Sequence, residues 1–266
     1  MVIITAVTPA DIQAVNYMSI LSALVARFSK PEPNPDFDAP IDPDQPLFVI
    51  GDVHGCADQL TRLLAKQPAN SQLVFVGDLI DRGPDSASVL QTVMQACGAG
   101  AICITGNHEK MMLDFLDRPT ERGARWFRFG GLQTLESLNI GGVSERSDDA
   151  ELLAGRDALE TCLGDAMIAW LRRLPTQWHS GNIHVVHASA DPNAPMNSQQ
   201  DKTLIWGHPD FAKRNRTDGQ WVVYGHTIQE EPTAIQGRIS VDTGAFATGR
   251  LTAAHITKNN IDFMQS

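Results

Sequence analysis

Gly51-Asp52-Val53-His54-Gly55, Gly77-Asp78-Leu79-Ile80-Asp81-Arg82-Gly83 and Gly106-Asn107-His108-Glu109 are the stretches whose reading decides the fold of this 266-residue chain. A short apolar run precedes each of them: Leu47-Phe48-Val49-Ile50, Leu73-Val74-Phe75-Val76 and Ala101-Ile102-Cys103-Ile104. Continuous apolar runs of this length, stopped by glycine, predict strands buried on both faces. Two later runs repeat the pattern, with Ile183-His184-Val185-Val186 ending at His187 and Trp221-Val222-Val223-Tyr224 ending at Gly225-His226. Five predicted strands thus each deliver a polar side chain at their C-terminal end. In an open α/β sheet that edge carries the ligands, because the departing loops converge there over a crevice.

The gathered groups are carboxylates, one primary amide and imidazoles. Mixed oxygen and nitrogen donors suit manganese, iron or zinc better than calcium, which prefers all-oxygen shells. A carboxylate shared by two such ions holds them about 3.5–4 Å apart, where they grip a phosphoryl group and lower the pKa of a water between them.

The three motifs, followed by two isolated histidines, resemble the phosphoprotein phosphatase (serine/threonine) branch of the calcineurin-like metallophosphoesterases as found in bacteria. The resemblance runs from Leu47 to Ile256 and takes in the segment DTGAFATGRLTA at 242–253. It implies an α/β fold of metallophosphoesterase type, a two-sheet β-sandwich flanked by helices. It also implies two divalent metal ions, manganese foremost with iron or zinc as alternatives, and direct attack of a metal-bridging hydroxide on phosphorus. Carried over by position, Asp52 and His54 hold one ion, Asp78 bridges to the second, and Asn107, His187 and His226 complete the second. The same resemblance makes His108 the general acid, Asp81 the group that orients it, and Arg82 a phosphate ligand.

The chain departs from that pattern in two places. Many members carry a second phosphate-binding arginine after a Leu-Trp or Ile-Trp pair, whereas Leu204-Ile205-Trp206 is followed here by Gly207-His208-Pro209. His208 is the expected substitute, with Arg214 and Arg216 as alternatives and a loop-capping role for His208 of equal weight. Gly225-His226-Thr227-Ile228 also lacks the second histidine of a G-H-x-H pair, so Asp52, His54 and Asp78 alone serve the first ion and leave positions open for water and substrate.

A basic and aromatic stretch, residues 122–131, stands out in an acidic protein. Its Trp126, Gly130-Gly131, Thr134-Leu135 and Ser137 resemble a segment of bacterial protein phosphatases and diadenosine tetraphosphate hydrolases. A substrate-facing lid that includes Arg128 is expected, with core-packed aromatics as the alternative.

At 42% hydrophobic and 20% charged residues the chain can bury one full core. A net charge of −10 argues against a nucleic-acid backbone as the main partner, although Glu32, Asp36, Asp38, Asp42 and Asp44 concentrate acid in one segment. Four cysteines without paired spacing predict neither a disulfide framework nor a zinc knuckle, and a reducing cytoplasm follows. Residues 1–46 read as an amphipathic helix over 10–28, a docking element for a partner or a piece that packs back, and then a Pro- and acid-rich linker. The apolar run of that helix is too interrupted for a membrane span. The phosphoesterase domain is expected over 47–266, with helices beginning near Gln59 and at Pro84 and another over 157–173.

The preferred substrate reading is phosphoserine or phosphothreonine in proteins. Symmetrical hydrolysis of diadenosine tetraphosphate, or cleavage of another small phosphoanhydride, is the alternative, and an inactive metal-bound binding module is a distant third.

Overall fold

The computed structural model describes residues 34–266, and the helix expected over 10–28 lies outside them. Among the described residues ten strands form two five-stranded sheets, the first in the order β10-β9-β1-β2-β3 and the second in the order β4-β5-β6-β8-β7. In the first sheet β1 (Leu47–Ile50), β2 (Gln72–Phe75) and β3 (Ile102–Cys103) are parallel, with β9 (Thr252–Thr257) and β10 (Asn260–Gln265) added antiparallel. In the second, β5 (Ile183–Val186), β6 (Trp221–Tyr224) and β8 (Arg238–Ser240) are parallel, edged antiparallel by β4 (Gln177–Ser180) and β7 (Thr233–Ile235).

Side-chain alternation explains the layers. Leu47, Val49, Val74 and Val76 face Ile183, Val185, Val223 and Ile239 and form the dry interior between the sheets. Phe48, Ile50 and Phe75 point the other way, into a core shared with helix residues Leu60, Leu63, Val89 and Phe115. Val186 and Val222 emerge on the far side of the second sheet against Leu204 and Phe211. The strands are therefore apolar on both faces because both faces are covered, and the architecture is the expected two-sheet sandwich flanked by helices.

Helix starts differ from the sequence reading where capping chemistry decides them. The helix expected from Pro84 begins at Ser86, since the Asp85 carboxylate accepts the Ser88 N–H at 2.9 Å and makes Asp85 the cap. The helix expected over 157–173 extends back to Asp149, where Asp148 and Glu151 form a reciprocal capping box.

The Pro- and acid-rich segment makes definite contacts over its described part. Residues 34–46 form no helix or strand, yet they are anchored along the second sheet. Trp221 Nε1 donates to the Ala39 carbonyl at 3.0 Å, Asn182 Nδ2 to the Pro40 carbonyl at 2.8 Å, and the Gly181 N–H to Asp44 at 2.7 Å. Phe37 stacks edge-on against Trp221 at 5.1 Å, and both Phe37 and Ile41 pack on the sandwich interior. Proline removes N–H donors but leaves carbonyls free to accept, so a proline-rich strap can be held tightly from outside.

Candidate metal centre and active site

The loops leaving β1, β2, β3, β5 and β6 meet at one edge, as the sequence pattern predicts. His54, Asp78, Asp81, Arg82 and His226 all adopt left-handed backbone there, with φ of 45°, 49°, 72°, 67° and 63°. Each such non-glycine conformation costs roughly 1 kcal/mol or more and persists only where its surroundings enforce it. Glycine is required where backbone passes a ligand carboxylate. A Cβ on Gly106 would meet Asp78 Oδ1 at 2.1 Å, and one on Gly225 would meet Asp52 Oδ1 at 1.9 Å.

Two groups of donor atoms converge, each within 4.8 Å: His54, Asp78 and His108, and Asp78, His187 and His226. Asp78 is common to both, the position a bridging ligand must occupy. Asn107 joins the second group, its Oδ1 lying 2.9 Å from His187 Nε2 and 2.7 Å from His226 Nδ1. Asp52 accepts the His226 N–H through Oδ2 at 2.9 Å. Its buried Oδ1 has no hydrogen-bond partner among the described residues.

Ring orientation is fixed from behind. His54 Nδ1 donates to the Ile80 carbonyl at 2.7 Å, and His187 Nδ1 donates to the Val76 carbonyl at 2.9 Å. Both rings therefore turn Nε2 inward, the arrangement that orients metal-binding imidazoles. Burial lowers the His54 pKa to about 3 and, with His187 nearby, lowers that of His226 to about 4, so both are neutral donors. Burial works against a proton on His187, but the carboxylates of Asp78 and Asp52 outweigh it and raise the pKa to about 10.

The arrangement fits divalent cations. Burial, and then the neighbouring Asp242 and Asp78, push the Asp52 carboxyl well above its usual range. Three buried carboxylates and one orphaned oxygen need positive charge that the described side chains only partly supply.

His108 lies beside this centre, with Nε2 3.8 Å from Asp78 Oδ2 and Nδ1 2.6 Å from Asp81 Oδ2. Burial opposes its protonation, but Asp78 and Asp81 prevail and raise its pKa. Arg82 places Nη1 3.1 Å from His54 Nε2 and its guanidinium 4.9 Å from the centre of the Phe246 ring. His208 is at the margin, lining a cavity of about 420 Å³ together with His226, Trp206 and Phe211. Its Nδ1 also accepts the Asp210 N–H at 3.3 Å.

Two further residues of the sequence reading have other partners. Arg216 is buried and tied to Asp218 and to the carbonyls of Asp191 and Ala194, away from the centre. Arg128 is 69% exposed and faces Glu145, while Trp126 is fully buried. The lid reading of this stretch therefore fails for Trp126, whose indole N–H is drawn inward by the Asp81 carboxylate.

Glu109 is a supporting residue of the candidate site that the sequence reading passed over. Its carboxylate accepts three N–H groups, from Gly106 and Asp78 on Oε2 at 2.8 and 2.9 Å and from Leu79 on Oε1 at 2.8 Å. A glutamate three residues after the helix-opening Gly106 is capping-box spacing, the signal that could have found it.

The model for calcineurin-like phosphoesterases matches residues 46–230. The asymmetrical bis(5'-nucleosyl)-tetraphosphatase PrpE of Oceanobacillus iheyensis is 30% identical over 78% of this chain and 87% of its own length. Serine/threonine-protein phosphatase 1 of Salmonella typhimurium is 28% identical over 79% and 91%. Among solved structures, a candidate diadenosine tetraphosphatase aligns with a TM-score of 0.59 at 21% identity, covering 86% of this chain and 99% of that one. A metallophosphoesterase from Sphaerobacter thermophilus aligns at 0.50 and 17%, covering 83% and 88%. With its two-sheet fold, its convergent ligand groups and the match over most of its length, this chain belongs to the calcineurin-like phosphoesterase family.

Proposed function

We propose that this phosphoesterase is a two-metal hydrolase of dinucleoside polyphosphates, acting on phosphoanhydride bonds of the bis(5'-nucleosyl) tetraphosphate class. The observation that carries this reading is the cavity of about 420 Å³ opening beside His226 and walled by Trp206, Phe211 and Pro209. Trp206 is 37% exposed, and the Arg125 guanidinium lies 4.9 Å from the centre of its ring. A partly exposed aromatic ring with a cation over one face suits a nucleobase and its phosphates. The tetraphosphatase relative, covered over most of its length, supports the same reading.

Asp52, His54 and Asp78 would hold one ion, and Asp78, Asn107, His187 and His226 the other, with manganese the first ion to test. When bound, the pair supplies Lewis acidity toward the phosphoryl oxygens and lowers the pKa of the attacking water. Arg82 binds phosphate oxygens through its planar fork. His108 gives its Nε2 proton to the departing oxygen as the P–O bond breaks, and Asp81 fixes the ring through Nδ1. A small soluble substrate and free cysteines suit a reducing cytoplasm.

Phosphoserine and phosphothreonine in proteins form the second reading, favoured by the Salmonella protein phosphatase relative. The test compares kcat/KM for diadenosine tetraphosphate with a phosphopeptide panel at saturating manganese, with products separated chromatographically. A preference for the nucleotide of tenfold or more is expected. A preference for phosphopeptides would overturn the substrate assignment while leaving the two-metal chemistry intact.

A further inference from the structure

Three residues of the conspicuous Trp126 to Ser137 segment, Trp126, Gly130 and Thr134, contact the Asp81-Arg82 loop. Trp126 Nε1 lies 2.9 Å from Asp81 Oδ2 and 3.1 Å from Oδ1. Thr134 donates its hydroxyl to Asp81 Oδ1 at 2.6 Å, and the same oxygen accepts the Asp81 N–H at 2.9 Å. Ser86 closes the group, its hydroxyl 3.0 Å from Thr134 Oγ1 and 3.1 Å from the Asp81 N–H. Gly130 accepts the Arg82 N–H at 3.3 Å. The next glycine leaves room for the indole, since a Cβ on Gly131 would meet the Trp126 ring at 2.5 Å. Asp81, Trp126 and Thr134 are all fully buried, so water has no access to the carboxylate.

We propose that Trp126 and Thr134 are positioning residues for proton donation, a two-donor clamp that holds the Asp81 carboxylate in the one orientation that presents Oδ2 to His108 Nδ1. The inference rests on the reading of His108 as the proton donor. A carboxylate on a short side chain can rotate about its last bond, and burial alone would favour its neutral form. Thr134 and Trp126 occupy Oδ1 and the inner side of Oδ2, which leaves the outer lone pair of Oδ2 for the imidazole. His108 is then locked with Nδ1–H engaged and Nε2 facing the reaction centre, 3.8 Å from Asp78 Oδ2. The aromatic segment acts on the chemistry through Asp81, without touching substrate.

The test uses the full chain and the variants Thr134→Val, which is nearly isosteric, Thr134→Ser, which keeps the hydroxyl, and Trp126→Phe, which removes the N–H donor together with part of the ring. Steady-state kinetics are measured on an alkyl phosphomonoester, whose leaving oxygen needs a proton, and on nitrophenyl phosphate, whose leaving oxygen needs little. Thr134→Val and Trp126→Phe are expected to lower kcat on the alkyl ester about tenfold and on the aryl ester less than threefold, with KM unchanged. Thr134→Ser should restore the rate. In a His108→Asn background the clamp substitutions should cost nothing further, because the group they position is gone. Equal losses on both esters, or full losses that persist without His108, would overturn the clamp. A second readout stands apart from turnover: proton NMR of the metal-free protein should show the His108 Nδ1–H resonance far downfield and shifted upfield in Thr134→Val and Trp126→Phe. An unmoved resonance in either folded variant overturns the clamp. If His108→Asn itself loses both esters equally, the proton-donor reading fails, and the resonance still decides whether the clamp exists.

Discussion

Replacing Glu109 by Gln separates the support of the site from its chemistry, because Glu109 contacts backbone of two catalytic loops and is not itself a candidate ligand. Its Oε2 accepts from Gly106 and Asp78, and its Oε1 accepts from Leu79. A glutamine fits the space and can keep a carbonyl oxygen on the two-donor side. Its amide NH₂ must then face the Leu79 N–H, so one charge-assisted hydrogen bond worth about 1.5–3 kcal/mol is lost and two buried donors oppose each other. The two surviving bonds also weaken as the acceptor becomes neutral. Together these give a loss of about 4 kcal/mol, and at 2–4 °C per kcal/mol for a domain of this size the melting temperature should fall by roughly 8–16 °C. Thermal and urea denaturation in the presence of chelator read this directly, without stabilisation by bound metal. Metal affinity should fall as well, because Asp78 would no longer be pinned in its strained left-handed conformation. A stability loss under about 1 kcal/mol would refute the reasoning, since it would mean that the three N–H groups find other acceptors at no cost.

Other expectations follow from the same geometry. Asp78→Asn should remove both ions together, with metal analysis showing less than one ion per chain and turnover nearly abolished; two tightly bound ions would contradict the bridging assignment. Because His187 is raised to about 10 in the metal-free protein, that proton stabilises fully below the unfolded histidine pKa near 6.5, and the contribution is lost as pH rises through about 10. Metal must displace the same proton, so affinity should rise with pH up to that value, and calorimetry in two buffers of different ionisation enthalpy at pH 8 should report release of at least one proton. A chain beginning at Gln45 loses the strap contacts to Trp221, Asn182 and Gly181, and it should melt several degrees lower while its folded fraction retains turnover on nitrophenyl phosphate.

The edge that carries the candidate site was legible because its strands are buried on both faces and the candidate ligands sit one or two residues beyond them. Leu47–Ile50, Ile183–Val186 and Trp221–Tyr224 are strands with the expected bounds. The short edge and hairpin strands were illegible for the opposite reason. Thr233–Ile235 is exposed along its whole length, and Gln177–Ser180 is only partly covered, so neither carries an apolar signature. The attachment of the strap over 34–46 was not legible because proline and acid composition speaks of an extended conformation and not of contacts. What holds it are carbonyl oxygens, which every residue has and no sequence pattern reports. Trp126 shows the same limit within the site: its burial was weighed, but the partner of its N–H lies 45 positions away on the loop after β2.

That loop, Gly77 to Gly83, explains how the fold keeps three strained residues in place. Asp78, Asp81 and Arg82 are all left-handed, so the loop alone stores several kcal/mol that a free peptide would release. It is opposed from two sides by groups outside itself. Glu109 binds the N–H groups of Asp78 and Leu79 at its entrance, and Thr134, Ser86 and Gly130 bind those of Asp81 and Arg82 near its end. Each support holds a backbone N–H of the loop, at roughly 1 kcal/mol or more apiece, and together they oppose the strain. The side chains so fixed are those proposed as the bridging carboxylate, the group that orients the proton donor and the phosphate-binding guanidinium. The conformation of the motif GDLIDRG is therefore specified by residues outside it, and transplanting the seven residues without Glu109, Trp126 and Thr134 would carry the side chains without their geometry.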